Sequence, residues 1–168
     1  KTVCLVEKDK VGGAGVFNGA LSSKTLWELS QRTRSVNETI VSLGRSKFEP
    51  TWKEIKRTLD EAIFERKFHI NSHIKLLQTE SMKKLLKYER GLGSLRSKNE
   101  VDIVLGNKTK TIWAENIILA SGSSPRKLRN IVVDEEVILT SDGIENLNDF
   151  PESIVIVGAG VIGCEYAT

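Results

Sequence analysis

Cysteine is scarce in this chain. Cys4 and Cys164 are the only two, and they lie at opposite ends of the sequence. They form no C-x-x-C pair and no cluster with metal-ligand spacing. Two buried, reduced cysteines in an intracellular protein are the expectation. A bias of charge is also missing: 25 Lys and Arg stand against 22 Asp and Glu, a net charge of +3. So even a balance gives no argument for a nucleic-acid partner. No apolar run approaches the roughly 18 residues of a membrane span. The first residues, Lys1 to Val6, lack a small-residue cleavage site of the secretory kind. There is no repeat of fixed period and no low-complexity tract. These absences point to a water-soluble, cytoplasmic or organelle-matrix chain, with 39% hydrophobic residues to build a core.

What is present alternates between strand and helix patterns. Val3 to Val6 is a short apolar run ending at Glu7, which predicts a buried parallel strand. A glycine-bearing loop, Val11 to Gly15, follows it. Ser22 or Ser23 is a candidate cap for a helix carrying Leu26, Trp27, Leu29 and Val36. Leu43 to Pro50 reads as a linker. Trp52, Ile55, Leu59 and Ile63 recur at helical spacing, as do Ile70, Ile74 and Leu77, predicting one long amphipathic helix or two in series with a core-facing stripe. The basic residues Lys83, Lys84, Lys87, Arg90, Arg96 and Lys98 have little aromatic interleaving and read as a solvated helix face. Gly91 to Leu95 is a short glycine-bounded strand. Val101–Leu105 and Thr109–Trp113 flank Gly106-Asn107-Lys108, a hairpin signal. Ile117 to Ala120 is a further apolar run, ending at Ser121-Gly122-Ser123-Ser124-Pro125.

Near the end, Ile154 to Val157 reads as an apolar strand running straight into Gly158-Ala159-Gly160-Val161-Ile162-Gly163. A G-x-G-x-x-G turn between a strand and a helix is the context of dinucleotide binding. Gly158 permits the tight turn, Gly160 lets backbone approach a pyrophosphate, and Gly163 lets the helix pack closely on the strand. The helix N-terminus then offers free N–H groups to phosphate. The residue that reads the ribose 2′ position falls about 20 positions further on, past Thr168. NAD and NADP therefore both stay open.

Taken in order, these motifs resemble the pyridine nucleotide-disulfide oxidoreductase family along the whole chain. The resemblance implies an α/β fold: partial FAD- and NAD(P)-binding Rossmann-like domains with a long helical hairpin and a small β-meander. It implies a partial FAD-binding domain over residues 1–140, a crossover over 141–150, and the start of an NAD(P)-binding domain over 151–168. Lys1 to Lys8 looks like the second strand of the FAD domain, with Glu7, and Lys8 beside it, at the adenosine ribose. Gly12-Gly13 and Ser23-Lys24 look like the two ends of the family's motif G-G-T-C-x-N-x-G-C-x-P-S-K, with Lys24 beside the flavin ring. Gly91-Leu92-Gly93 resembles a loop near the adenine, Ser121-Gly122-Ser123 a strand end against FAD, and Thr140 to Gly143 the crossover. Gly158 to Glu165 resembles the second nucleotide turn, with Glu165 near the nicotinamide.

Two departures matter. The motif's cysteine positions fall on Gly15 and Ala20. A dithiol relay needs two sulfurs in disulfide reach, whereas flavin-mediated hydride transfer does not. The resemblance also starts one βαβ step into the family's pattern, past its first phosphate turn. The expectation is a piece of a longer FAD- and NAD(P)-dependent oxidoreductase that is a homodimer at full length. It would handle a small-molecule electron donor and acceptor, with no nucleic-acid or membrane partner. Within the family it looks most like the branches acting on dihydrolipoamide or exchanging hydride between two nicotinamide nucleotides. A catalytically inactive nucleotide-binding or interaction module is the alternative.

Overall fold

The computed structural model describes residues 2–17 and 19–168; Lys1 and Asn18, both within motifs quoted above, lie outside the described residues. The elements in chain order are β1 (Val3–Glu7), α1 (Gly13–Phe17), α2 (Ala20–Ser42), α3 (Trp52–Leu77), β2 (Leu86–Arg90), β3 (Leu92–Leu95), β4 (Glu100–Leu105), β5 (Lys108–Trp113), a 3-10 turn at Ile144–Asn146, and α4 (Val161–Tyr166). They fall into two compact units. One holds residues 1–13 and 67–122, the other residues 14–66 and 123–168.

In the first unit β1 pairs in parallel with β2, Val3 opposite Leu86 and Glu7 opposite Arg90. Lys87 and Arg90 therefore belong to a strand, and the expectation of a solvated helix face over this basic segment is corrected. Leu86, Tyr88 and Glu89 are half-buried while Lys87 and Arg90 are exposed, so the strand is only partly covered. β3, β4 and β5 form an antiparallel meander. Its hairpin is closed by Gly106-Asn107, between the paired Leu105 and Lys108. Gly106 takes φ 58, which a two-residue turn with glycine first requires. Ile103 on β4 is the buried side chain of this sheet.

In the second unit α2 ends in a Schellman motif. The Gly44 N–H (φ 73) donates to the Val41 carbonyl and the Arg45 N–H to the Ile40 carbonyl. α3 is one continuous helix rather than two. It opens on a capping box: the Glu54 carboxylate accepts from the Thr51 N–H at 2.8 Å, and the Thr51 hydroxyl oxygen accepts from the Glu54 N–H at 3.3 Å. Trp52, Leu59 and Ile63 are its buried face. Leu59 is fully enclosed, so truncating it to alanine costs about 2–5 kcal/mol.

Three further expectations change. Ser22 and Ser23 do not cap α2. Gly19 holds that position, and the Ser23 N–H goes to the Gly19 carbonyl; the serine hydroxyls, one turn in, are free for other acceptors. Ile117–Ala120 and Ile154–Val157 form no strand, because no described segment hydrogen-bonds alongside them. Ile118 is 90% exposed and Val155 89%. The cysteines are unpaired as expected, but Cys4 is only half-buried and Cys164 is exposed at the surface of α4. Among the described residues no helix is long and apolar enough to cross a membrane.

Candidate functional site

In the first unit, Glu7 closes β1. One of its carboxylate oxygens accepts the Asp9 N–H at 2.9 Å, which leaves the other for a ligand hydroxyl. Lys8 is exposed in the bend that follows. Gly12 (φ 104) and Gly13 (φ 48) turn the chain into α1, both in the left-handed region that favours glycine. Gly91 is the most constrained residue of the adenine-loop motif. Its N–H donates to the Glu7 carbonyl at 3.0 Å, its φ is 154, and a Cβ there would press on Ile103 and the Val104 carbonyl at 2.8 Å. A Cβ on Gly93 would come within 3.3 Å of Val6. Ser121 and Gly122 (φ 77) lie in exposed, irregular chain. Burial pushes the Cys4 thiol above its ordinary range, and Glu89 adds to the shift; a raised thiol is a poor nucleophile.

In the second unit, the residues singled out at opposite ends of the sequence meet. Lys24 Nζ lies 2.9 Å from Glu165 Oε1 and donates to it. The Ser23 hydroxyl donates to Glu165 Oε2 at 2.5 Å. Ser23 is 1% exposed, so its donor is fixed by the packing of α2 on α4. The Ser23 hydrogen bond, then that of Lys24, holds the Glu165 carboxyl below its ordinary range. The pair is asymmetric: Glu165 is 13% exposed and Lys24 is 62% exposed. A cation with that much exposure is free to face a second negative group.

The glycines of the second turn divide into two kinds. Gly158 takes φ 122. At Gly163 an added Cβ would run into the Gly158 carbonyl and sit 3.2 Å from Ile156, so close helix-to-chain packing requires glycine there. At Gly160 a Cβ would meet nothing within 4 Å. The space over Gly160 is open, and Gly160 is the residue that opens α4, with no side-chain cap on the helix. Ala159 accepts from the Cys164 thiol at 3.6 Å, Val161 and Ile162 are exposed on the first turn of α4, and Ser123 is exposed.

Sequence reasoning missed a second set. The Ser22 hydroxyl, fully buried, donates to Glu145 Oε1 at 2.6 Å. Lys56 Nζ donates to the Glu145 carbonyl at 2.8 Å, and the Trp52 ring N–H to the Leu147 carbonyl at 2.6 Å. Tyr166, next to Glu165, has a buried hydroxyl with no hydrogen-bond partner among the described residues. Burial, then Glu145, Glu165 and Asp142, pushes it up to about 12. Of this set the sequence singled out Ser22 only as a candidate cap and Trp52 only as part of a core-facing stripe, and neither signal reveals what the side chain reaches. A concavity along α3, lined by Lys53, Lys56, Arg57, Asp60 and Phe64, shares only Lys56 with this set and is a groove on a helix surface.

The family model for pyridine nucleotide-disulphide oxidoreductases matches residues 1–168. The chain belongs to that family. A soluble pyridine nucleotide transhydrogenase of Mycobacterium bovis is 31% identical over 173 residues, covering 100% of this chain and 36% of the relative. One from Sodalis glossinidius is 30% identical over 174 residues, covering 99% of this chain and 35% of the relative. The mitochondrial dihydrolipoyl dehydrogenase of Dictyostelium discoideum is 28% identical, covering 97% of this chain and 33% of the relative. The chain thus spans about a third of the length of these relatives. Among solved structures, LpdA from Mycobacterium tuberculosis superposes with a TM-score of 0.68 at 21% identity, covering 87% of this chain and 31% of that one. The Cu(II) complex of the HOCl-induced flavoprotein disulfide reductase RclA from Escherichia coli superposes at 0.66 and 18% identity, covering 98% and 33%. The fold is the Rossmann-like FAD- and NAD-binding fold of these flavoproteins, here in part. The family's members are oxidoreductases that use FAD and NAD(P)H.

Proposed function

We propose that the full-length protein is an FAD-dependent oxidoreductase passing hydride between NAD(P)H and flavin without a dithiol relay. The observation that carries this reading is the Lys24–Glu165 contact at 2.9 Å. It joins the residue whose motif belongs beside the flavin to the residue whose motif belongs beside the nicotinamide. The flavin, when bound, supplies the two-electron chemistry; the chain's residues bind and orient. Glu7 holds the adenosine ribose through its unengaged carboxylate oxygen. Lys8, Gly12, Gly13, Gly93, Ser121, Gly122 and Ser123 make up the rest of the FAD contacts. Gly158 to Gly163 takes the nicotinamide dinucleotide, with the open space over Gly160 receiving the pyrophosphate. Lys24, its ammonium held by Glu165, presents positive charge to the flavin ring and favours negative charge on it.

Two features favour a second nicotinamide nucleotide as the hydride acceptor over lipoamide. Gly15 and Ala20 stand where the motif has its cysteines, and relatives at 30–31% identity are named as transhydrogenases. The division into residues 1–140 for FAD, 141–150 as crossover and 151–168 for NAD(P), and a full-length homodimer, belong to this same reading. The test is purification of full-length protein. It should be yellow, release flavin on denaturation, and transfer hydride from NADPH to an NAD analogue. Colourless protein that takes up no FAD on titration sinks the enzyme reading in favour of a catalytically inactive module.

A further inference from the structure

Three donors from two helices converge on one turn of the crossover. Ser22 of α2 reaches the Glu145 side chain, Lys56 of α3 reaches the Glu145 carbonyl, and Trp52 of α3 reaches the Leu147 carbonyl. The turn itself is minimal. It is a 3-10 turn of three residues, closed by the Asn146 N–H on the Gly143 carbonyl and the Leu147 N–H on the Ile144 carbonyl. Phe150, just after it, packs edge-on against Trp52 with ring centroids 5.3 Å apart.

Of these contacts, Ser22–Glu145 stands out chemically. Ser22 is 0% exposed and sits in the sequence immediately before Ser23. It occupies the place of the proline in the family's motif, and a proline there has neither hydroxyl nor N–H to give. A buried hydroxyl donating to a carboxylate is a charge-assisted bond, about twice as strong as a neutral one. The two serines divide the labour: one turn of α2 holds Glu145 of the crossover through Ser22 and Glu165 of α4 through Ser23.

We propose that Glu145 is a positioning residue, latched by Ser22 and Lys56, that docks the crossover on the head of α2 so that Glu165 is delivered to Ser23 and Lys24. This rests on the reading of the Gly158–Glu165 segment as the nicotinamide side. Undocking competes with nucleotide binding, and apparent affinity falls by the fraction of molecules in the competent state. A bound nucleotide re-docks the segment, so turnover at saturation is spared. Glu145 touches neither Glu165 nor Lys24 by hydrogen bond among the described residues, so it acts through placement.

The experiment uses full-length, flavin-loaded protein carrying Ser22→Ala, Glu145→Ala, both together, or Glu145→Gln. Nucleotide dissociation constants, kcat at saturation and backbone hydrogen exchange over residues 143–147 are measured. Each alanine variant should weaken nucleotide binding about tenfold, the effect of one lost charge-assisted bond. The double variant should be no worse than either, because both remove one contact. Flavin content and kcat should hold, exchange at Asn146 and Leu147 should quicken, and Glu145→Gln, which still accepts from Ser22 but without the charge, should fall between wild type and the alanine variants. Unchanged affinity with unchanged exchange, or additive losses in the double variant, overturns the latch. If Ser22→Ala fails to fold, Glu145→Ala and Glu145→Gln decide alone. If wild-type protein binds no nucleotide, the functional reading falls, and the exchange rates still judge the latch: unchanged protection in Glu145→Ala overturns it.

Discussion

Lys24 and Glu165 are 141 positions apart in sequence and 2.9 Å apart in space. The bond adds little to stability, because Lys24 is mostly exposed and exposed ion pairs contribute about 0–1 kcal/mol. On the proposed function its worth is in placing charge beside the flavin. Replacing Glu165 with glutamine leaves an acceptor for Ser23 but removes the countercharge to Lys24. We expect Glu165→Gln to leave thermal stability nearly unchanged and to slow flavin reduction by NAD(P)H about tenfold, or ~1.4 kcal/mol of barrier. Rapid-mixing single-turnover kinetics at saturating nucleotide measures this. Lys24→Met should give a similar loss, and the double variant no more. The Glu165 carboxyl is depressed in the fold. Its contribution is therefore intact above the ordinary carboxylate range and lost only as pH falls through the lowered value. No step in the rate above about pH 5 should trace to Glu165.

Gly160 and Gly163 carry the same residue type for different reasons, and substitution separates them. The space over Gly160 is open, so Gly160→Val is expected to fold and keep its flavin while weakening NAD(P)H binding at least tenfold. The pyrophosphate would lose charge-assisted N–H contacts of roughly 1.5–3 kcal/mol each. At Gly163 even one methyl meets the Gly158 carbonyl, so Gly163→Ala is expected to lower the melting temperature as well as affinity. A nucleotide titration beside a melting curve distinguishes the two. Unchanged affinity in folded Gly160→Val would mean the turn is structural only.

The Tyr166 hydroxyl is buried without a partner among the described residues, and its ionisation is pushed up to about 12 by burial and by Glu145, Glu165 and Asp142. The fold therefore favours the neutral phenol. That stability is fully present below the ordinary tyrosine value of about 10 and is lost as pH rises from there through about 12. Tyr166→Phe removes an unsatisfied donor, whose burial costs about 1–3 kcal/mol. The variant should be at least as stable as wild type at neutral pH and should lack this alkaline loss. Melting temperatures of both proteins across the alkaline range decide it. A strongly destabilised Tyr166→Phe would show that the hydroxyl has a partner after all.

Much of the architecture was legible because its cause is local. The stripe Trp52, Leu59 and Ile63 is what a buried helix face requires, and Gly106-Asn107-Lys108 announced a hairpin, although its turn proves one residue shorter because Lys108 pairs with Leu105. Gly158 and Gly163 both behave as a strand-to-helix turn demands, one by positive φ and one by lack of room. The misses all depend on distant residues. Leu86–Arg90 is polar enough to pass for a helix face until β1 pairs with it. Ile154–Val157 has the composition of a strand, but a strand exists only through a neighbour. Ser22 and Ser23 have the chemistry of caps, and only the arrival of Glu145 and Glu165 gives their hydroxyls another use. Lys24 and Glu165 were named separately; nothing in their local sequence says that they touch.

The last expectation concerns sulfur. The family's motif places its cysteines at positions that here hold Gly15, inside α1, and Ala20, the first residue of α2. Between Lys8 and Gly163 there is no cysteine at all. Cys4 is half-buried with a raised thiol, and Cys164 is exposed on α4, so neither stands in for the pair. Dithiol–disulfide exchange proceeds by thiolate attack through a mixed disulfide, and on the proposed reading, with no sulfur at the motif, a bound flavin would pass its reducing equivalents on without a disulfide step. Full-length protein should accordingly show no lipoamide or glutathione disulfide reductase activity above background, while its flavin is still reduced by NAD(P)H. Thiol titration after that reduction should find no more free thiols than in the oxidised protein. A cysteine pair at Gly15 and Ala20 is the positive control: a Cβ at Gly15 meets nothing within 4 Å, so the site has room. Lipoamide-dependent NADH turnover by the wild-type protein would refute the expectation, and so would the appearance of new thiols on reduction.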